Sequence, residues 1–202
     1  MPVATEVQTQ LDLQELAADL VRRAVSRGAS AAEAVVREGS EFSTLVRLGQ
    51  VETVKEAGSR AAGLRVFMGN HAASSHTSDF SPYALEQLVS SALSLAQVTS
   101  EDPFAGLPTP AELGKLPGDL DLYYDDVYSL SSPERIAYAR RAEQAALSFD
   151  PRIGNSEGGS FEAATGRKAL ANSLDFSGEY QRSYCSVSAV PIAVAPDVAM
   201  QR

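Results

Sequence analysis

Between Leu13 and Val25 the apolar residues Leu13, Leu16, Ala17, Leu20, Val21, Ala24 and Val25 recur as one stripe at the helical period. Asp12 followed by Glu15 has the form of a capping box. Arg27 then supplies a cation for the negative end of the dipole, and Gly28 a left-handed cap. From Ala31 onward the period changes. AAEAVVRE is short and partly β-branched, and FSTLVRL puts Phe42, Thr44, Val46 and Leu48 on one face of a strand. VETVKEA alternates apolar and charged residues and also admits a helix. In GLRVFMGNHAASSH, Leu64, Val66 and Met68 point one way, Arg65 and Phe67 the other, and Gly69-Asn70 predicts a two-residue turn into a small polar strand, His71 to Thr77.

Ser81-Pro82 opens a second helix with a serine cap and proline at its first position, burying Leu85, Leu88, Val89, Ala92 and Ala96 and fading near Val98. Residues 99–122 hold four prolines and three glycines, which break helix and strand alike. Ser132-Pro133-Glu134 starts a third helix, predicted to run to about Phe149 and to bury Tyr138, Ala142, Ala145, Ala146 and Phe149, with Asp150-Pro151 ending it. SFEAAT and KALANS flank Gly166-Arg167, which reads as a type II′ hairpin, and YQRSYCSVSAV is the longest strand candidate. The pattern predicts an α+β fold of two helix-plus-antiparallel-sheet units, 1–98 and 123–202, joined by a Pro/Gly-rich linker at 99–122.

Composition narrows the function classes. A chain of 202 residues, 44% hydrophobic and 21% charged, is that of a globular protein. Its net charge of −9 and lack of any Lys/Arg run argue against duplex DNA and against an anionic membrane surface. A single cysteine, Cys185, makes no internal disulfide, so a reducing cytoplasm is the expected location. The first ten residues lack the charge and apolar core of a signal peptide, and no apolar run approaches the roughly 20 residues of a membrane span.

The densest candidate chemistry is GNHAASSHTSD, residues 69–79, which holds both histidines of the chain. His71 and His76 are five apart, which on a strand puts them on opposite faces, and no glutamate lies between them. A triad of Ser74 or Ser75 with a histidine and Asp79 would need groups to converge that an extended segment splays apart. Asp79 and Ser81 better suit a turn into the second helix. Cys185, in an alternating strand pattern, is expected to pack. GNSEGGSF (154–161) lacks the lysine and the following helix of a phosphate loop and reads as a strand entry. The acid pairs Asp125-Asp126 and Glu101-Asp102 fall in loop-like stretches, where two acids alone define no chemistry. The residues therefore name no catalytic, cofactor-binding or metal-binding side chain.

Three stretches carry a resemblance: GLRVFMGNHAASSHTSDFSPYALEQLVSSALSLA, EDPFAGLP, and AALSFDPRIGNSEGGSFEAATGRKALANSLDFSGEYQRSYCSVSAV. In this order and spacing they resemble the N-terminal portion of the TldD/PmbA family, called modulators of DNA gyrase and classed as metallopeptidases. EDPFAGLP and NSEGGSF favour the PmbA (TldE) branch. The resemblance implies a zinc motif, His-Glu-x-x-x-His, in the later part of longer TldD chains. This sequence has no such motif, so zinc is expected in a catalytic partner and no cofactor here. It further implies a homodimer, or a heterodimer with a TldD-type subunit, acting on peptides or unfolded proteins. It also implies a chain that continues past Arg202. Two alternatives stay open: a non-catalytic module that captures extended peptides on the strand edge around Tyr180 to Val190, and a protein that modulates gyrase directly.

Overall fold

The structure is a computed structural model, which describes residues 11–114, 118–195 and 198–201. Among the described residues the helices α1 (Leu13–Ser26), α2 (Pro82–Ala96), α3 (Asp126–Ser129) and α4 (Ser132–Leu147) accompany β1 (Ala31–Arg47), β2 (Gln50–Met68), β3 (His71–Thr77), β4 (Ile153–Asn172), β5 (Ser177–Ala195) and β6 (Val198–Gln201). The strands form one sheet in the order β3-β2-β1-β4-β5-β6. The fold class is α+β with an antiparallel sheet, as the patterning predicts. The chain divides into two compact units, each assembled from three stretches of sequence: 1–37, 60–116 and 168–179 in the first, 38–59, 117–167 and 180–202 in the second.

The first unit follows the sequence pattern closely. Asp12 caps α1, accepting the Glu15 N–H, and Leu13, Ala17, Leu20, Val21 and Ala24 are buried; Gly28 closes the helix at φ +104°. Ser81 caps α2 through the Ala84 N–H, with Pro82 in its first turn, and Leu85, Leu88, Val89, Ala92 and Ala96 are buried. Both stripes pack with Ala32, Ala34, Val36, Ala62, Leu64, Val66, Ala169 and Ala171 from the strands. The many alanines on the sheet side let two helices approach closely, and leucine and valine supply most of the apolar area. Gly69, at φ +59°, opens a two-residue turn closed by Met68 opposite His71, and the register then runs without interruption to Ala62 opposite Thr77. This is the predicted hairpin. VETVKEA, whose pattern also admits a helix, is part of the 19-residue strand β2.

The second unit departs from the pattern in four places. Helix α4 is capped by Ser131, one residue before the expected start, in a reciprocal box with Glu134. It buries Arg135, Ala139 and Glu143, while Tyr138 (40%) and Phe149 (84%) are exposed. The apolar stripe misassigns the face because on the buried side the Glu143 carboxylate finds two backbone donors and the Arg135 guanidinium lies against two aromatic rings. Gly166-Arg167 is no hairpin: β4 runs through it unbroken for 20 residues. Gly166 is needed for close approach instead, since a Cβ there would lie 3.0 Å from the Glu38 carbonyl, and one on facing Gly39 would lie 2.6 Å from the Thr165 carbonyl. Leu48 leaves the face shared by Phe42, Thr44 and Val46 and enters a turn, and Cys185, expected to pack, is exposed. The core here is smaller, built on Phe42, Val46, Ala139, Phe161 and Ala163, with Phe42 and Phe161 meeting edge to face.

Candidate functional site

The histidine-rich segment is β3 and the turn after it, and its side chains do not converge. His71 and His76 lie opposite Met68 and Gly63, five residues apart on one strand and so on opposite faces. The His71 Nδ1 sits 2.8 Å from the Thr99 carbonyl and its Nε2 3.8 Å from Glu101, which ties the start of β3 to the loop after α2. Asp79 takes the turn role expected of it. Its carboxylate accepts the Ser81 N–H at 2.8 Å and the Ser81 hydroxyl at 3.0 Å, and those two bonds hold it below the usual carboxylate range. Asp102 closes a small turn by accepting the Phe104 N–H at 2.9 Å. Asp125 and Asp126 stand at the start of the one-turn helix α3. Gly158, within GNSEGGSF, takes φ +124° inside β4, and the Ser156 hydroxyl accepts its N–H at 2.7 Å; the segment is part of a strand and precedes no helix.

Among the described residues, the buried charged side chains Arg135 and Glu143 both lie in the second unit, where no local sequence pattern announces them. Glu143 is 1% exposed, and its two carboxylate oxygens accept the N–H groups of Leu48 at 2.7 Å and Gly49 at 2.9 Å. These are the central residues of the β1–β2 turn, both at positive φ. Burial pushes the carboxyl up, but the two backbone donors, the Ser156 hydroxyl and the charge of Arg47 outweigh it, so Glu143 stays below its ordinary range. Arg140 donates to the Gly49 carbonyl from the same helix, and Arg47 to that of Ser156. About two turns before Glu143 on α4, the 3%-exposed Arg135 guanidinium lies over the rings of Phe42 (4.6 Å) and Tyr128 (4.4 Å) and donates to the Tyr128 carbonyl at 2.9 Å. The arrangement fixes a turn and a helix. It brings no nucleophile to a base.

An open pocket of about 370 Å³ lies over the same strands, lined by Glu41, Ser43, Lys55, Glu162 and Tyr184 among others. Among the described residues, no three His, Cys, Asp or Glu side chains are grouped to hold a metal ion. The chain's two histidines do not fit a zinc site, for the geometric reason given above. No helix among the described residues is long and apolar enough to cross a membrane.

Two family models match the chain: the PmbA/TldA metallopeptidase domain 1 over residues 32–96 and the PmbA/TldA metallopeptidase central domain over residues 125–202, together more than half of it. The Metalloprotease PmbA of Escherichia coli O157:H7 is 36% identical over 96% of this chain and 42% of its own length. The Metalloprotease PmbA homolog of Haemophilus influenzae is 34% identical over 92% of this chain and 41% of its own. The chain thus spans about two-fifths of the length of these curated relatives. Among solved structures, a protein described as a modulator of DNA gyrase from Bacteroides thetaiotaomicron superposes with a TM-score of 0.82 at 23% identity, over 93% of this chain and 42% of that one. TldE from Thermococcus kodakarensis does so with 0.73 at 13% identity, over 90% and 40%. At those identities the structural likeness speaks to the fold.

Proposed function

Because the chain belongs to the PmbA/TldD family of metallopeptidase-type proteins and spans part of their length, we propose that it acts as the domain 1 and central-domain portion of a PmbA-type subunit. In this reading the subunit pairs with a zinc-bearing TldD-type partner in a cytoplasmic protease that processes or degrades peptides. This portion contacts the partner or substrate and does no bond chemistry. The observation that carries it is the 36% identity to a PmbA metalloprotease over 96% of the chain, in a sequence with only two histidines and no His-Glu-x-x-x-His. The buried polar groups support it too, since each is used to hold backbone in place. The test is zinc content and peptide cleavage by the purified chain, alone and with a TldD-type subunit. Expected are no stoichiometric zinc and no cleavage alone, and cleavage with the partner. One zinc per chain together with cleavage by the chain alone would overturn the proposal.

A second reading, capture of an extended peptide, is favoured by β5. No charged residue occurs from Ser183 to Ala195. The outer edge of this stretch is met by the Leu122 carbonyl at Ser183 and by β6 opposite Ala193 and Ala195. Edge strands are ordinarily guarded by charge, and β2 carries Glu52, Lys55 and Glu56 where β3 does not reach it. Titration of unstructured peptides against the chain tests this reading, and absence of binding at high micromolar concentration would remove it.

A further inference from the structure

Helix α2 ends without a cation of its own. Its last turn holds no basic residue and none follows through Ser100, so nothing on the helix answers the negative end of its dipole. The end is wrapped by Thr99, whose N–H donates to the Leu95 carbonyl at 3.2 Å and whose hydroxyl donates to the Ala96 carbonyl at 3.1 Å. The Thr99 carbonyl in turn meets Nδ1 of His71, on the neighbouring strand β3, at 2.8 Å. A carbonyl only accepts, so Nδ1 carries the ring proton and Nε2 of the neutral ring is a bare lone pair. That lone pair stands 3.8 Å from the Glu101 carboxylate, acceptor against acceptor.

One proton on Nε2 improves both contacts. The approach to Glu101 becomes an ion pair, and the bond to Thr99 becomes charge-assisted, with a cation set beside the end of α2. Other charges stand away from the ring. Glu86 of α2 sits near the helix start and is held by Arg27. On β2, Arg65 lies opposite Ser74 and reaches Glu33, and Arg60 donates to the Ser78 carbonyl. Asp102, beside Glu101, turns its carboxylate to the Phe104 N–H. Within the histidine-rich segment, His76 takes the opposite face of β3 and Asp79 is bonded to Ser81.

We propose that His71 is a proton-operated latch, which fastens the end of α2 and the loop at residues 99–102 to the start of β3 more tightly when its imidazole is charged. Its contribution is present while the ring is protonated and is lost as pH rises through the histidine range. That sign is opposite to the Glu143 clamp of the second unit, which weakens on acidification.

The experiment is amide hydrogen exchange on the full chain, followed residue by residue by NMR between about pH 8 and about pH 5 and corrected for the intrinsic pH dependence of exchange. The reporters are the N–H groups of Thr99, bonded to Leu95, and of Asp102, bonded to the Asn70 carbonyl at 2.9 Å. The N–H of Leu85, at the start of α2, is the internal control and reports that each variant is folded. Protection at Thr99 and Asp102 is expected to rise roughly two- to fivefold on acidification while Leu85 stays level, the effect of a cation at a helix end. In His71→Gln, which keeps an N–H donor for Thr99 but no charge, the rise should vanish. A parent whose reporters stay level, or a His71→Gln variant that rises with the parent, overturns the latch.

Discussion

The two units solve the same problem with different materials. The first buries aliphatic stripes from α1 and α2, and among its described residues no charged side chain is buried. The second covers its strands with α4, whose buried face is Arg135, Ala139 and Glu143. An apolar core tolerates local error because the hydrophobic effect is non-directional. A core that includes a carboxylate and a guanidinium does not, since each must find its partners or carry a desolvation cost. The comparison predicts that the second unit is the more sensitive to small changes of shape and pH, and the first to loss of volume.

The harshest test is Gly159→Val. A Cβ on Gly159 would collide with the Ala139 carbonyl and lie 2.9 Å from the Glu143 backbone nitrogen, so α4 must lift. A loss of roughly 3 kcal/mol or more in denaturant unfolding is expected. Next is Leu20→Ala in the first unit, fully buried and expected to cost about 2–5 kcal/mol by cavity formation. Glu143→Gln should cost about 1–3 kcal/mol, since only the amide oxygen can accept and the NH2 group would face the other turn N–H as a second donor. It also sharpens the pH contrast. The folded-state pKa of Glu143 is lowered, so its contribution is present above the carboxyl's ordinary range and lost as pH falls through the folded value. Melting temperatures should therefore decline more steeply on acidification for the parent than for Glu143→Gln. The smallest effect is expected for Arg135→Met. Its Nε has no hydrogen-bond partner in the fold, so an apolar replacement of similar length should shift stability by less than about 1 kcal/mol. A large loss there would show that the two aromatic faces stabilise the cation more than its burial costs.

The same difference explains what could be read from the sequence. In the first unit, period, caps and turn agree with one another, and α1, α2 and the β2–β3 hairpin are all legible. In α4 the apolar residues Tyr138 and Phe149 point outward, because the face is chosen by the Glu143 carboxylate reaching the turn N–H groups, a contact 94 residues apart that no local pattern encodes. Gly166-Arg167 misleads for a related reason: a glycine needed for close approach to a neighbouring strand looks, in sequence, like one needed for a turn. The exposure of Cys185 was hidden because alternation on a strand does not say whether the second face is covered. Of the candidate site, the splayed histidines and the turn role of Asp79 were legible; the Glu143 clamp was not, since a lone Arg-x-x-x-Ala-x-x-x-Glu run is common on exposed helices.

The lengths of β1, β2, β4 and β5, 17 to 20 residues each, carry a consequence for how the molecule is made. Each of these ribbons contributes residues to both units, so a ribosome has not finished the first unit until Lys168–Glu179, which carries the core residues Ala169 and Ala171, has emerged. That core therefore waits on chain synthesised long after α1 and α2, and its closure joins segments far apart in sequence. During that interval the aliphatic faces of α1 and α2 lack their last strand, which makes the nascent chain a natural client of chaperones and gives the finished fold no contiguous fragment that could be excised as the first core.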